Sequence, residues 1–243
     1  MKKEDFLCKN DTEVLLELVE VPQLKDKVER ILEEFIARRV CCFSPWSYFY
    51  IADKRIRGLA FPKYNLKAIP EPIFKLDALE ELYLEKNRIT VIPDAISRLK
   101  NLTKLFLSSN RIRKVSDSIN SLDSLEYLDL KRNQLKNLPE DISNLRKLDS
   151  LYLNKNDLRQ LPQSVTTLDK LKYLDISYNP NLIISHQVSK FLNRERDGSR
   201  GFPSGQKIMQ VKGLEETLVA PYIRKLETLK LEEDKILGEL KDD

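Results

Sequence analysis

A single period of 23 residues dominates this sequence. Its opening apolar position falls at Ile56, Leu79, Leu102, Leu125, Leu148 and Leu171, with no insertion or deletion between them. A fixed period of this length marks stacked units, none of which can bury its apolar face alone. Within each unit apolar residues follow three, five and ten positions later, as in Leu125, Leu128, Leu130 and Leu135, and Asn133 stands between the last two. The pattern is LxxLxLxxNxL. Its alternating part has the period of two of a short strand, which sends the leucines to one face and the intervening residues to the other.

An amide recurs at Asn87, Asn110, Asn133, Asn156 and Asn179. Here the chain must leave the strand and cross the core with its backbone polar groups cut off from water. A stacked asparagine can bond that backbone in its own and adjacent units, so these five are predicted to be structural. The first unit carries Tyr64 in this slot with Asn65 beside it, which marks an irregular terminal turn. The second half of the unit reads Ile69-Pro70 with Ile73 and Leu76, Leu138-Pro139 with Ile142 and Leu145, and Leu161-Pro162 with Val165 and Leu168. Proline there suits an extended lead into a short convex helix. The third unit departs with Val115-Ser116, and the sixth places Asn181 where an apolar residue is expected, followed by Leu182.

Together these residues resemble leucine-rich repeats, and the LxxLPxxIxxL half is similar to the 23-residue intracellular class of Ras-suppressor-like and many bacterial proteins. The resemblance covers Ile56 to about Asn193. It implies an α/β leucine-rich-repeat solenoid, curved, with a parallel sheet on the concave side where a partner protein is usually held. Such a motif is specific for fold and poorly specific for function.

The chain divides into a helical N-terminal cap (1–55), six repeats (56–193), and a loop with C-terminal helices (194–243). In the cap, Leu24, Val28, Ile31, Leu32, Phe35 and Ile36 recur at helical spacing after a break at Pro22 and a shorter apolar stretch, Val14 to Val19. An aromatic segment, Cys41 to Tyr50, follows and is expected to seal the first repeat or to offer a second binding surface. Residues 193–206 are polar and glycine-rich, as in a loop or hinge, and include Arg194, Arg196 and Arg200. Beyond them, Leu214 and Leu218 read as helical, and Tyr222, Leu226, Leu229, Ile236 and Leu240 follow a four-three spacing broken by Glu233. These helices are expected to fold back onto the last repeat or, as the alternative, to project as a partner helix.

Chemistry-bearing residues are sparse. The one histidine, His186, has no evident nucleophile or metal-ligand companion, there is no glycine-rich phosphate loop, and the cysteines lack metal-ligand spacing. No enzyme, metal or cofactor is expected. The 42 basic and 38 acidic residues leave a net charge of +4 and are mixed along the chain, so no nucleic-acid partner is expected. Cys8, Cys41 and Cys42 are odd in number and include an adjacent pair, which fits a reducing compartment. The start, Met1-Lys2-Lys3-Glu4-Asp5, is polar and acidic where a signal peptide needs an apolar core, and no apolar run is long enough to cross a bilayer. A cytoplasmic monomer is expected.

The binding expectation rests on the outward side of the strands. The position between the second and third leucines reads Ala60, Tyr83, Phe106, Asp129, Tyr152 and Asp175. The outward position before it reads Gly58, Glu81, Lys104, Tyr127, Ser150 and Tyr173. Strands about 4.8 Å apart place these side chains on one continuous surface. Tyr83, Phe106, Tyr127, Tyr152 and Tyr173 are the expected anchors of a protein–protein interface, with Glu81, Lys104, Asp129, Lys131 and Asp175 as the charges that orient the partner. Some of the tyrosines could instead fill the pleat and support the sheet. The chain would then act as adaptor, scaffold or inhibitor. An alternative reading comes from the acidic tail, Glu232 to Asp243, which resembles C-terminal signals of some type IV-secreted bacterial effectors; it makes the chain an effector, or a regulator of one, delivered into a host cytosol.

Overall fold

A computed structural model of the chain describes residues 7–30, 43–44, 47–193 and 210–212. The expectations for Ile31 to Ile36, for Cys41, Cys42 and Trp46, for the arginines of the 194–206 loop, and for the C-terminal helices and acidic tail lie outside those residues. Within them the leucine pattern folds as its alternation requires. Strands β3 (Arg55–Ala60), β4 (Glu81–Tyr83), β6 (Lys104–Phe106), β8 (Tyr127–Asp129), β9 (Ser150–Tyr152) and β10 (Tyr173–Asp175) run parallel and in register, one per unit. Gly58 pairs with Glu81, and each partner thereafter lies 23 residues on, through Lys104, Tyr127 and Ser150 to Tyr173. Leu82 and Leu105 are fully buried and Leu128 and Leu151 nearly so, in one continuous core.

The opposite side of the core is closed by the second half of each unit. Two short strands, β5 (Val91–Ile92) and β7 (Lys114–Val115), pair there, and four units make single 3-10 turns rather than α-helices: Glu71–Lys75, Asp94–Arg98, Asp117–Ser121 and Gln163–Thr167. Pro70, Pro93 and Pro162 precede three of these turns without side-chain capping bonds. Ser116, at the equivalent place, accepts a bond from the Ser118 amide, so the departure from proline is compensated by a cap. The fourth unit has no such turn, and its Ile142 amide donates instead to Ser164 Oγ of the next unit (3.0 Å). In the sixth unit Leu182 takes the buried place that Asn181 cannot fill, leaving Ile183 71 % exposed. That unit ends in a true helix, α2 (His186–Asn193), which buries Val188, Phe191 and Leu192.

The asparagines occupy the core side of the turn after each strand, and all five are buried. The Asn133 amide nitrogen donates to Leu107 O (3.0 Å) and Leu130 O (2.9 Å), while its oxygen accepts from the Ile112 amide (3.0 Å). Asn87, Asn110, Asn156 and Asn179 repeat this arrangement, so each ties its own unit to the one before. In the first unit, which lacks the amide, Tyr64 and Leu66 donate to Asn87 Oδ1. The residue before each slot, namely Lys63, Lys86, Ser109, Arg132, Lys155 and Tyr178, has φ between 55° and 66°. A left-handed residue that is not glycine recurs in every unit, and the hydrogen bonds around it offset its strain.

The N-terminal flank is not helical throughout. Helix α1 (Lys9–Val19) is capped by Cys8, whose Sγ accepts from the Asp11 amide at 3.5 Å, and buries Val14, Leu15 and Leu18. Pro22 lies just past its end, and residues 25–30 are helical again with Leu24 and Val28 buried. The aromatic segment then contributes a strand: β1 (Phe43–Ser44) pairs with β2 (Ser47–Ala52), and β2 runs antiparallel to β3. Asp53 and Lys54, with φ of 51° and 60°, form the tight turn between β2 and β3. This hairpin covers the open edge that β3 would otherwise present. At the other end β11 (Gln210–Lys212), which the repeat period does not foreshadow, adds in parallel to β10.

Candidate protein-binding site

The outward positions of the sheet come together as one surface, and its aromatic side chains touch. Tyr83 and Phe106 stack with ring centroids 4.5 Å apart and planes within 7°. Phe106 then meets Tyr127 at 4.7 Å, and Tyr127 meets Tyr152 at 5.2 Å, both tilted. The stack shifts from one column to the next because Asp129 occupies the aromatic position on β8. Tyr127, two residues earlier, bridges the gap, and small Ser150 stands opposite it on β9. Burial pushes the Tyr127 hydroxyl well above its ordinary range. Tyr173 stands on β10 beyond Ser150. All five aromatics are half-buried; the four from Tyr83 to Tyr152 touch their neighbours, and all five keep part of their surface open.

The charged residues expected around them divide. Glu81 accepts from Lys104 Nζ (2.8 Å) and from the Tyr83 hydroxyl (2.9 Å), a cross-strand pair that lies beside the stack and orients its first ring. Lys131 reaches Asp129 (2.9 Å) and lies 5.8 Å from the Tyr152 ring centroid. Asp129 itself is only 2 % exposed, contrary to its expected place among the charges that meet a partner. Its carboxylate accepts from the Lys131 amide and the Lys131 ammonium, so it is used up in ending its own strand. Asp175 accepts from the Ser177 amide (3.1 Å) and hydroxyl (2.6 Å) in the same way, but stays half-exposed. Below the stack Glu85 sits on the lip of the face, its carboxyl raised by burial.

One residue at the rim of this face and one at the end of the solenoid were not singled out from the sequence. Tyr178 is 61 % exposed at the rim, and Lys155 Nζ lies 5.0 Å from its ring centroid; the period could have marked it, since it holds the left-handed slot filled by Lys or Arg in four other units. Asp11 is fully buried at the end of the solenoid. It accepts from the Ile56 amide (2.6 Å) and from Arg55 Nε (3.2 Å), and Arg55 also pairs with Asp77. No sequence signal distinguishes it from any acid in the first turn of a helix. Among the described residues no group of histidine, cysteine and acidic side chains is placed to hold a metal, and no helix is long and apolar enough to cross a membrane.

Two family models match the repeats of this chain. A family described as leucine rich repeat matches residues 62–112, and one described as leucine-rich repeat region matches residues 113–188. Similar solved structures include the leucine-rich-repeat ectodomain of a plant membrane receptor kinase from Arabidopsis thaliana, determined in complex with Casparian strip integrity factor 2. It has 30 % identity and a TM-score of 0.48, over 51 % of this chain and 16 % of that one. A leucine-rich-repeat protein of Leptospira interrogans has 25 % identity and a TM-score of 0.47, over 63 % and 41 % of the two chains. The functional domain of InlJ from Listeria monocytogenes has 28 % identity and a TM-score of 0.45, over 52 % and 26 %. The matched region thus spans less than half of each of those chains, and no curated protein matches. Leucine-rich-repeat domains generally mediate protein–protein interaction and are typically non-catalytic. With its 23-residue period, its in-register parallel strands and its asparagine ladder, this chain belongs to the leucine-rich-repeat proteins.

Proposed function

We propose that this chain is a non-catalytic binding module that holds a partner protein on the concave face of its repeats, as adaptor, scaffold or inhibitor. One observation carries the reading: the continuous stack Tyr83–Phe106–Tyr127–Tyr152, ordered by its own contacts yet partly open. Aromatic rings fixed in advance lose little entropy when a partner covers them, and such residues dominate binding energy at interfaces. Tyr173 extends the anchor row. Glu81, Lys104, Lys131 and Asp175 set orientation around it, while Asp129 acts from beneath by placing Lys131.

The cytoplasm is the proposed setting, and a monomer the proposed state. Cys8 is a free thiol engaged in capping α1, as a reducing compartment allows. Affinity purification from the native cell tests the function directly. The wild-type chain should retain a specific protein that Tyr83→Ala/Tyr152→Ala releases while still melting cooperatively. Equal retention by a folded double variant would move the interface off the concave face.

A further inference from the structure

Charges that alternate along the chain are sorted by the fold. Where each unit leaves its strand, positions in five successive units line up across the solenoid, held in rows by backbone bonds such as Arg88 to Leu66 O, Arg111 to Ile89 O, Gln134 to Ile112 O and Asp157 to Leu135 O. A buried leucine or isoleucine in every row, and a buried asparagine in all but the first, alternate with outward side chains. The charged side chains among them are basic but for Asp157, the one acid in the five segments 63–68, 86–91, 109–114, 132–137 and 155–160. Lys86, Arg88, Arg111, Arg132, Lys136 and Arg159 are all exposed, and among the described residues none of them takes part in an ion pair. The other edge, where the chain approaches the strands, behaves differently. There Arg57 pairs with Glu80 and Lys172 with Asp149.

A mixed sequence therefore yields one edge with paired charges and one edge on which Lys86, Arg88, Arg111, Arg132, Lys136 and Arg159 present positive charge outside the ion pairs of the described residues. We propose that this basic edge docks a carboxylate-rich segment of a protein. Five rows about 4.8 Å apart make a strip roughly 20 Å long, the reach of about six residues of extended chain. Arginine contributes much of the strip, and its planar fork matches a carboxylate with two parallel bonds. The strip is not uniform: Asp157 stands between Lys155 and Arg159, and Thr90 and Gln134 interrupt the cations. A phosphate backbone carries charge at every unit and would meet Asp157 with repulsion, whereas a polypeptide can vary its side chains to suit. The five rows also lack an exposed aromatic ring on which bases could stack, the exposed Tyr178 lying beyond the last of them.

The inference does not depend on the concave face, and its test is separate. The full chain is titrated at low ionic strength against a fluorescein-labelled peptide of alternating glutamate and serine, with single-stranded DNA and phosphatidylserine-containing vesicles as parallel probes. An edge variant, Arg88→Glu/Arg111→Glu/Arg132→Glu, is compared with a control of equal net charge, Lys100→Glu/Lys147→Glu/Lys170→Glu. These side chains are exposed, so folding should survive; Arg→Gln at the same three positions serves if it does not. Peptide binding should weaken as salt rises, fall by about tenfold or more in the edge variant, and change little in the control. The proposal is overturned by no binding to the wild-type chain, by equal losses in both variants, or by edge-dependent binding of DNA or vesicles tighter than that of the peptide.

Discussion

On strands β4, β6, β8, β9 and β10 the inward side chains are Leu82, Leu105, Leu128, Leu151 and Leu174, one residue type throughout, whereas their outward neighbours are Tyr83, Phe106, Asp129, Tyr152 and Asp175. The two sides of the same backbone answer different demands. Inward positions face identical copies above and below, so whatever packs well once packs well everywhere. Outward positions face solvent or a partner, and what they share is continuity: a stack that shifts column at Asp129 to remain unbroken. Repetition marks what holds this protein together, and variation within a fixed geometry marks where it can recognise something else.

The strongest way to break that contrast is to disturb the repeating side. Asn133→Leu would leave the Ile112 amide and the Leu107 and Leu130 carbonyls without their partner, and should cost about 3 kcal/mol or more. Denaturant unfolding measures it, and an unchanged midpoint would show that the amide carries no structural load. Asp11→Ala, at the end of the solenoid, should cost roughly 2 kcal/mol by freeing the Ile56 amide and Arg55. Its loss should appear as early local opening of α1 in hydrogen exchange, with the central repeats still protected. On the variable side, Tyr83→Ala/Tyr152→Ala should lower stability by about 1–2 kcal/mol, because the half-open rings give up contacts with Phe106 and Tyr127 and the Tyr83–Glu81 hydrogen bond but no fully buried area. A collapse as large as that of Asn133→Leu would make the aromatics core rather than interface. The smallest expected change is a gain: Arg132→Gly relieves a left-handed non-glycine residue and should add roughly 0.5–1 kcal/mol.

The same contrast explains what could be read in advance. Leucine register, the asparagine ladder and the parallel sheet were legible because each is dictated by a neighbour 23 residues away that is known from the period. The convex segments were legible as short helices but not as single 3-10 turns, since proline and spacing define where the chain bends and not how tightly. Asp129 was misread as an accessible charge because its burial depends on Lys131 and on the aromatic stack, contacts specific to one unit. Asp11 owes its role to Arg55 and Ile56, far away in sequence, and β11 pairs across a gap outside the repeats. The basic edge is a different case. Its residues are plain in the sequence, but only stacking at a fixed period separates them from the acids that lie between.

Site-specific photo-crosslinking tests the central claim, that the concave aromatic face is where a partner sits. Benzoylphenylalanine placed at Phe106, in the middle of the stack, would be compared in the native cell with the same probe at Arg98 on the convex side and at Arg111 on the basic edge. The account predicts one dominant protein adduct from position 106 that is absent from position 98 and lost in the Tyr83→Ala/Tyr152→Ala background. The same adduct from position 98, with none from 106, would contradict it.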